Sequence, residues 1–190
     1  MAPVGILLAA GRGSRFDPAG AANKLLARLP GGEPVVAASA RHLLAVLPRV
    51  VAVCAEEGEL ADQLRTLGCE VTICAAAREG MGVSLSHAIR ASLPASSWLV
   101  ALGDMPFVQP FTIRALSDAL DAGAQLAAPV AQGRRGNPVG FGDTHLAALL
   151  ALRGDEGARR IVASSAVTMV DVDDPGIFAD IDLPGDLQRP

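Results

Sequence analysis

Strand-like apolar runs recur along the chain at Val4 to Leu8, Val50 to Cys54, Val71 to Cys74, Trp98 to Leu102, Leu126 to Pro129 and Val167 to Val172. Most are solidly apolar and lack the apolar–polar alternation of a half-exposed sheet, so they read as strands covered on both faces. Between them lie amphipathic segments at Val35 to Leu47, Glu59 to Leu67, Val83 to Leu93 and Thr112 to Leu120, which predict helices. A strand–helix succession of this kind specifies an α/β fold built on a mostly parallel sheet. Gly68 stands where a helix ends in a left-handed residue, and Pro110 where proline suits a first helical turn. Beyond Pro129 the alternation loosens. Residues 132–138 read as a polar turn, and Thr144 to Leu152 and Glu156 to Ala163 as short helices.

In a parallel sheet with right-handed crossovers, ligands lie beyond the carboxyl ends of the strands. The loop after Leu8 and the Gly103-Asp104 turn after Leu102 both follow such ends, so the topology brings them to one edge of the sheet.

Size and composition narrow the reading. At 190 residues the chain is of single-domain length, with about 130–165 as an acceptor-side excursion from a domain spanning 1–190. Hydrophobic residues make up 51% and charged ones 19%, which predicts a soluble globular protein. A net charge of −4 argues against nucleic-acid or membrane-surface partners and leaves a small anionic ligand as the expectation. Cys54, Cys69 and Cys74 form no C-x-x-C pair, which predicts reduced, packed thiols and a cytoplasmic location.

Three segments carry candidate chemistry. In the first, Gly11-Arg12-Gly13-Ser14-Arg15-Phe16 follows the first strand, and Lys24, the sole lysine among 16 basic residues, comes shortly after. Small residues let backbone N–H groups approach an anion that basic side chains neutralise. The loop matches neither G-x-x-x-x-G-K-[ST] nor G-x-G-x-x-G, because Phe16 stands at the third glycine position, so an ordinary P-loop kinase or nicotinamide dehydrogenase is disfavoured. Its bland alternative is a turn with solvated arginines. The second segment is Gly103-Asp104-Met105-Pro106, whose carboxylate is placed either to hold Mg²⁺ against phosphate oxygens or simply to form an Asx-turn. In the third, Asp180 and Asp182 fall on one side if the segment is extended and could complete the metal site, while Asp182 alone would serve as an N-cap before Pro184. Gly80, Gly82 and Ser84 open a helix with small residues, suited to a close-lying base or to tight packing. His42, His87 and His145 lack metal-ligand spacing and read as structural or surface residues.

Taken as an ordered set, Leu8-Ala9-Ala10-Gly11-Arg12-Gly13-Ser14-Arg15-Phe16, Lys24-Leu25-Leu26, Gly80-Met81-Gly82-Val83-Ser84-Leu85, Leu102-Gly103-Asp104-Met105-Pro106, Arg135-Gly136-Asn137-Pro138-Val139, Gly154-Asp155-Glu156-Gly157-Ala158-Arg159 and Asp180-Ile181-Asp182-Leu183-Pro184 resemble the MobA-like nucleotidyltransferases, nearest the molybdenum cofactor cytidylyltransferases. The resemblance implies a Rossmann-like three-layer α/β/α sandwich with a mixed sheet, of the nucleotide-diphospho-sugar transferase type. It implies that residues 8–15 bind the nucleotide, with Arg12, Arg15 and Lys24 on phosphate oxygens and Arg15, Lys24 and Asp104 catalytic. Gly80, Gly82 and Ser84 would line the base and ribose, and Arg135, Asn137 and Arg159 would face the acceptor. Asp104, with Asp182 and Asp180, would hold Mg²⁺. The implied substrates are an NTP, CTP ahead of GTP because Ala9-Ala10-Gly11 is the cytidine-type form, and molybdopterin, with a molybdoenzyme or its chaperone as a further partner. The chain departs from the family pattern in the residues 17–23 that precede Lys24, in Leu183 and in Gly185. Two alternatives stand beside this reading: an accessory protein that delivers cofactor without transferring a nucleotide, and transfer to a sugar or alditol phosphate.

Overall fold

A computed structural model describes residues 2–11, 13, 15–17 and 23–188. Arg12 and Ser14, both expected at the nucleotide, lie outside the described residues, as do 18–22 of the segment preceding Lys24.

Strands β1 (Val4–Leu8), β2 (Val50–Cys54), β3 (Glu70–Ile73), β4 (Ser97–Leu102), β5 (Leu126–Ala131), β6 (Arg134–Arg135), β7 (Val139–Gly142) and β8 (Thr168–Asp171) form one sheet in the order β3-β2-β1-β4-β7-β5-β6, with β8 paired to β5. The β1–β2, β1–β4, β2–β3 and β5–β8 pairs are parallel, whereas β7 runs antiparallel to both β4 and β5. The sheet is thus mixed and mostly parallel, flanked by helices on both faces, the three-layer α/β/α architecture that the resemblance implies.

Side-chain alternation along β1 divides the core. Leu7 and Ala9 join Ala52, Cys54 and Leu99 beneath α1 (Val35–Leu44), α2 (Glu59–Leu67) and α4 (Pro110–Asp121). Ile6 joins Val51, Val53, Trp98 and Phe141 on the opposite face, beneath α3 (Met81–Ala91), α5 (Leu146–Leu150) and α6 (Arg159–Ala163). The three free cysteines are all buried, and burial pushes the Cys54 and Cys69 thiols up to about 11. No helix among the described residues is long and apolar enough to cross a membrane.

Gly68 ends α2 in the left-handed region at φ 104°, and Pro110 opens α4, as their sequence positions predict. Residues 132–138 depart from a plain polar turn. Gln132 and Gly133 both have positive φ, which closes a tight hairpin from β5 into β6, and the chain then re-enters the sheet as β7.

The chain after β8 crosses the carboxyl edge of the sheet. Asp174, fully buried, accepts from the Gln109 amide, the Thr112 hydroxyl and the Gly176 amide, so it caps α4 from outside the helix. The Asn137 amide donates to the Ile177 carbonyl, and the Ile181 amide to the Asp104 carbonyl at 2.9 Å. This crossing strap carries Asp182 to the end of β4.

Candidate active site

Strand β1 runs on through Ala9, whose amide donates to the Val53 carbonyl and whose side chain is buried; the chain then opens into the glycine loop. Gly13 adopts φ +60° and its carbonyl accepts from the Phe16 and Asp17 amides, a turn that glycine forms without steric cost. The Asn23 side chain accepts from the Leu25 amide and caps the single 3₁₀ turn Lys24–Leu26, which fixes the direction of Lys24.

At the end of β4 the Gly103 amide donates to the Leu8 carbonyl at 2.9 Å, holding the β1 and β4 exits side by side. A side chain at Gly103 would stand 2.9 Å from that same oxygen. Asp104 is therefore presented directly to the glycine loop. Lys24, only 8% exposed, donates to Asp104 Oδ2 at 2.5 Å and to the Ile181 carbonyl at 3.0 Å, with Asp182 Oδ1 3.7 Å away. Arg15 pairs with the other oxygen of Asp182, Oδ2, at 2.5 Å.

Carboxylates from the middle and the tail of the chain thus meet cations of the first loop. The capping alternative for Asp182 is reversed, because the Asp186 carboxylate accepts from the amides of Asp182 and Leu183 and leaves the Asp182 side chain to the two cations. Asp182 contacts both Lys24 and Arg15, and Asp180, two residues earlier, is partly buried.

Two pockets meet here. A crevice of about 430 Å³ is lined by Ala10, Gly11, Gly13, Lys24 and Asp104 at one end and by Ala77, Arg78, Gly80, Ser84 and Asp155 at the other. A second pocket of about 500 Å³ has an apolar floor of Leu85, Val100, Phe141 and Val162 and takes in Arg135, Asn137 and Arg159. Leu8, Met81 and Leu102 line both. Gly82 lines neither, since it packs against the backbone of Arg153 and Gly154.

Arg78, Met81 and Asp155 are among the lining residues that sequence reasoning missed. Arg78 stands two positions before Gly80 with no motif around it, and Met81 looks like an ordinary helical apolar residue although it is 47% exposed. Asp155 lies inside the Gly154–Arg159 motif, where only Arg159 attracted a role. The histidines sit apart from the crevice lining: His87 Nε2 is 2.8 Å from Thr72 Oγ1, and His145 meets Phe141 edge-on.

Among the described residues no group of three or more His, Cys, Asp or Glu side chains forms a metal cage. What is present is a pair of carboxylates converging on one cation, the Lys24 ammonium. Two carboxylates without further protein ligands suit Mg²⁺, which takes few protein oxygens and completes its shell with water and substrate phosphates.

The family model for the MobA-like NTP transferase domain matches residues 5–169. The chain belongs to that family. MobA-like members are nucleotidyltransferases, and the family implies an NTP substrate. A comparison with curated proteins found no match. Among solved structures, the manganese complex of Rv0371c from Mycobacterium tuberculosis is 26% identical, with a TM-score of 0.76 over 98% of this chain and 96% of that one. A nucleotidyl transferase from Methanothermobacter is 24% identical, with a TM-score of 0.82 over 97% and 94%. The molybdopterin-guanine dinucleotide biosynthesis protein A of Archaeoglobus fulgidus is 21% identical, with a TM-score of 0.68 over 97% and 94%. The last two are likenesses of fold.

Proposed function

We propose that this protein is a Mg²⁺-dependent cytidylyltransferase that moves CMP from CTP to the phosphate of a molybdopterin-type acceptor and releases pyrophosphate. The observation that carries this reading is the pair of adjoining pockets: one holds the Lys24–Asp104 pair, the other Arg135, Asn137 and Arg159, and they share Leu8, Met81 and Leu102. A transferase must hold two anionic substrates against each other, and an apolar floor flanked by the guanidinium groups of Arg135 and Arg159 suits a flat heterocycle bearing a phosphate. The Ala9-Ala10-Gly11 form of the loop favours CTP over GTP. We read residues 1–190 as one such domain, acting in the cytoplasm.

Asp104 and Asp182 would hold the metal ion, which when bound supplies Lewis-acid stabilisation of charge on the phosphate oxygens. The chain's own residues do the rest. Loop amides at Gly11 and Gly13 and the side chains of Arg15 and Lys24 orient the triphosphate and offset its charge. Arg135 and Arg159 hold the acceptor phosphate so that one of its oxygens faces the α-phosphorus. That oxygen attacks in line, a new P–O bond forms, and the bond from the α-phosphorus to the α,β-bridging oxygen breaks. Pyrophosphate leaves with the electron pair, and no covalent enzyme intermediate is required.

The test is pyrophosphate release from each of the four NTPs with Mg²⁺ and molybdopterin. Release with CTP, lost in a folded Asp104→Ala variant, is the expected result. No release with any NTP would sink the reading in favour of a delivery protein, and release only with an alditol phosphate would reassign the acceptor.

A further inference from the structure

The position that a divalent ion would take already holds a cation. The Lys24 ammonium faces Asp104 Oδ2 at 2.5 Å, the Ile181 carbonyl at 3.0 Å and Asp182 Oδ1 at 3.7 Å, an all-oxygen surround for a group with three donors and no acceptor. Its stem is buried against Gly13, where an added Cβ would stand 3.1 Å from Lys24 Cγ, so the side chain is seated rather than draped over the surface. The remaining oxygen of Asp182 is taken by Arg15. An incoming ion must compete with a positive charge for both carboxylates, and in a part-buried site that repulsion is weakly screened.

A triphosphate changes the balance by offering the ammonium anionic oxygens of its own. We propose that Lys24 is a resident stand-in cation: it keeps Asp104 and Asp182 together while the site lacks nucleotide, excludes free divalent ions, and moves onto the phosphates only when nucleotide and metal enter together. This rests on the reading that those two carboxylates hold the metal. It assigns Lys24 a positioning role before substrate arrives, in addition to phosphate contact afterwards. Metal and nucleotide must then bind with strong mutual enhancement, each tightening the other by the same factor.

The measurement is Mn²⁺ binding to the protein, followed by loss of the free-ion EPR signal beyond that of the same mixture without protein, with and without a non-hydrolysable α,β-methylene CTP. Wild-type protein is expected to bind Mn²⁺ weakly alone and at least about tenfold more tightly with the analogue. Lys24→Met, close in size and uncharged, is expected to bind Mn²⁺ alone at least about tenfold more tightly than wild type, with the enhancement by nucleotide reduced. Lys24→Gln serves the same comparison if the methionine variant melts early. If both variants fold and neither binds Mn²⁺ more tightly than wild type, while the analogue still recruits the ion in an Asp104-dependent way, the stand-in role is overturned and the metal site survives. If no protein binds the ion with or without the analogue, the metal reading falls and takes this inference with it.

Discussion

The Gly82 amide donates to the Gly154 carbonyl at 2.7 Å, which locks the 153–159 turn onto the first turn of α3. That turn spans both pockets, with Asp155 lining the crevice and Arg159 the second pocket. A Cβ at position 82 would lie 2.8 Å from the Arg153 carbonyl oxygen and 2.9 Å from that of Gly154, both backbone atoms that cannot swing aside. Gly82→Ala should cost about 2 kcal/mol of stability and shift the turn, so the KM values for nucleotide and acceptor should rise together. Thermal melting and two-substrate kinetics check this; a variant with normal melting and both KM values unchanged would contradict it.

Arg159 lines the second pocket and not the crevice. Arg159→Ala should therefore raise the acceptor KM by about 10- to 100-fold, the loss of a charged hydrogen bond worth about 1.5–3 kcal/mol, while leaving the Kd for CTP unchanged. Titration calorimetry with CTP beside steady-state kinetics in acceptor separates the two.

Asp174 accepts from the Gln109 amide, the Thr112 hydroxyl and the Gly176 amide with its carboxylate fully buried. Asp174→Ala would strand those donors and release the strap from α4. We expect a loss of about 3 kcal/mol in chemical denaturation, with activity falling alongside because the strap carries Asp182.

His42 has its pKa lowered, first by burial and then by the neighbouring Arg41, and its Nδ1 is buried without a hydrogen-bond partner. The unfolded chain therefore takes up the proton first as pH falls through the ordinary histidine value of about 6.5, and the folded state is destabilised from there down to its own lower pKa. Above that window His42 contributes no pH dependence. A melting series from pH 8 to pH 5 should show a shallower acid decline for His42→Leu than for wild type; parallel curves would remove His42 as the cause.

The parts of the fold that were legible in sequence are those where one physical signal dominates. β1, β2 and α2 fall at the predicted residues because continuous apolar runs and one clear amphipathic stripe specify them. β7 was not legible, because Val139-Gly140-Phe141-Gly142 carries glycine at alternate positions and reads as poor strand. Those glycines are present because α4 and the turn after it press on the strand: a Cβ at Gly140 would stand 2.9 Å from Leu120 Cδ1, and one at Gly142 2.3 Å from Gln125 Oε1. The site divides in the same way. Asp104 and the glycine loop follow strand ends and could be placed by topology alone, whereas choosing Asp182 for the loop cations depended on Asp186 taking the capping duty, a pairing that no spacing rule foretells. Arg78 and Asp155 gain significance only from the walls around them.

The reach from Lys24 to the Ile181 carbonyl closes a loop of 157 residues. Contacts of such separation slow folding, because loop closure costs entropy before they stabilise anything. Release of the tail alone would leave Asp104 beside the glycine loop, held there by the pairing of β1 with β4, and would take Asp182 and the Ile181 carbonyl away from Lys24.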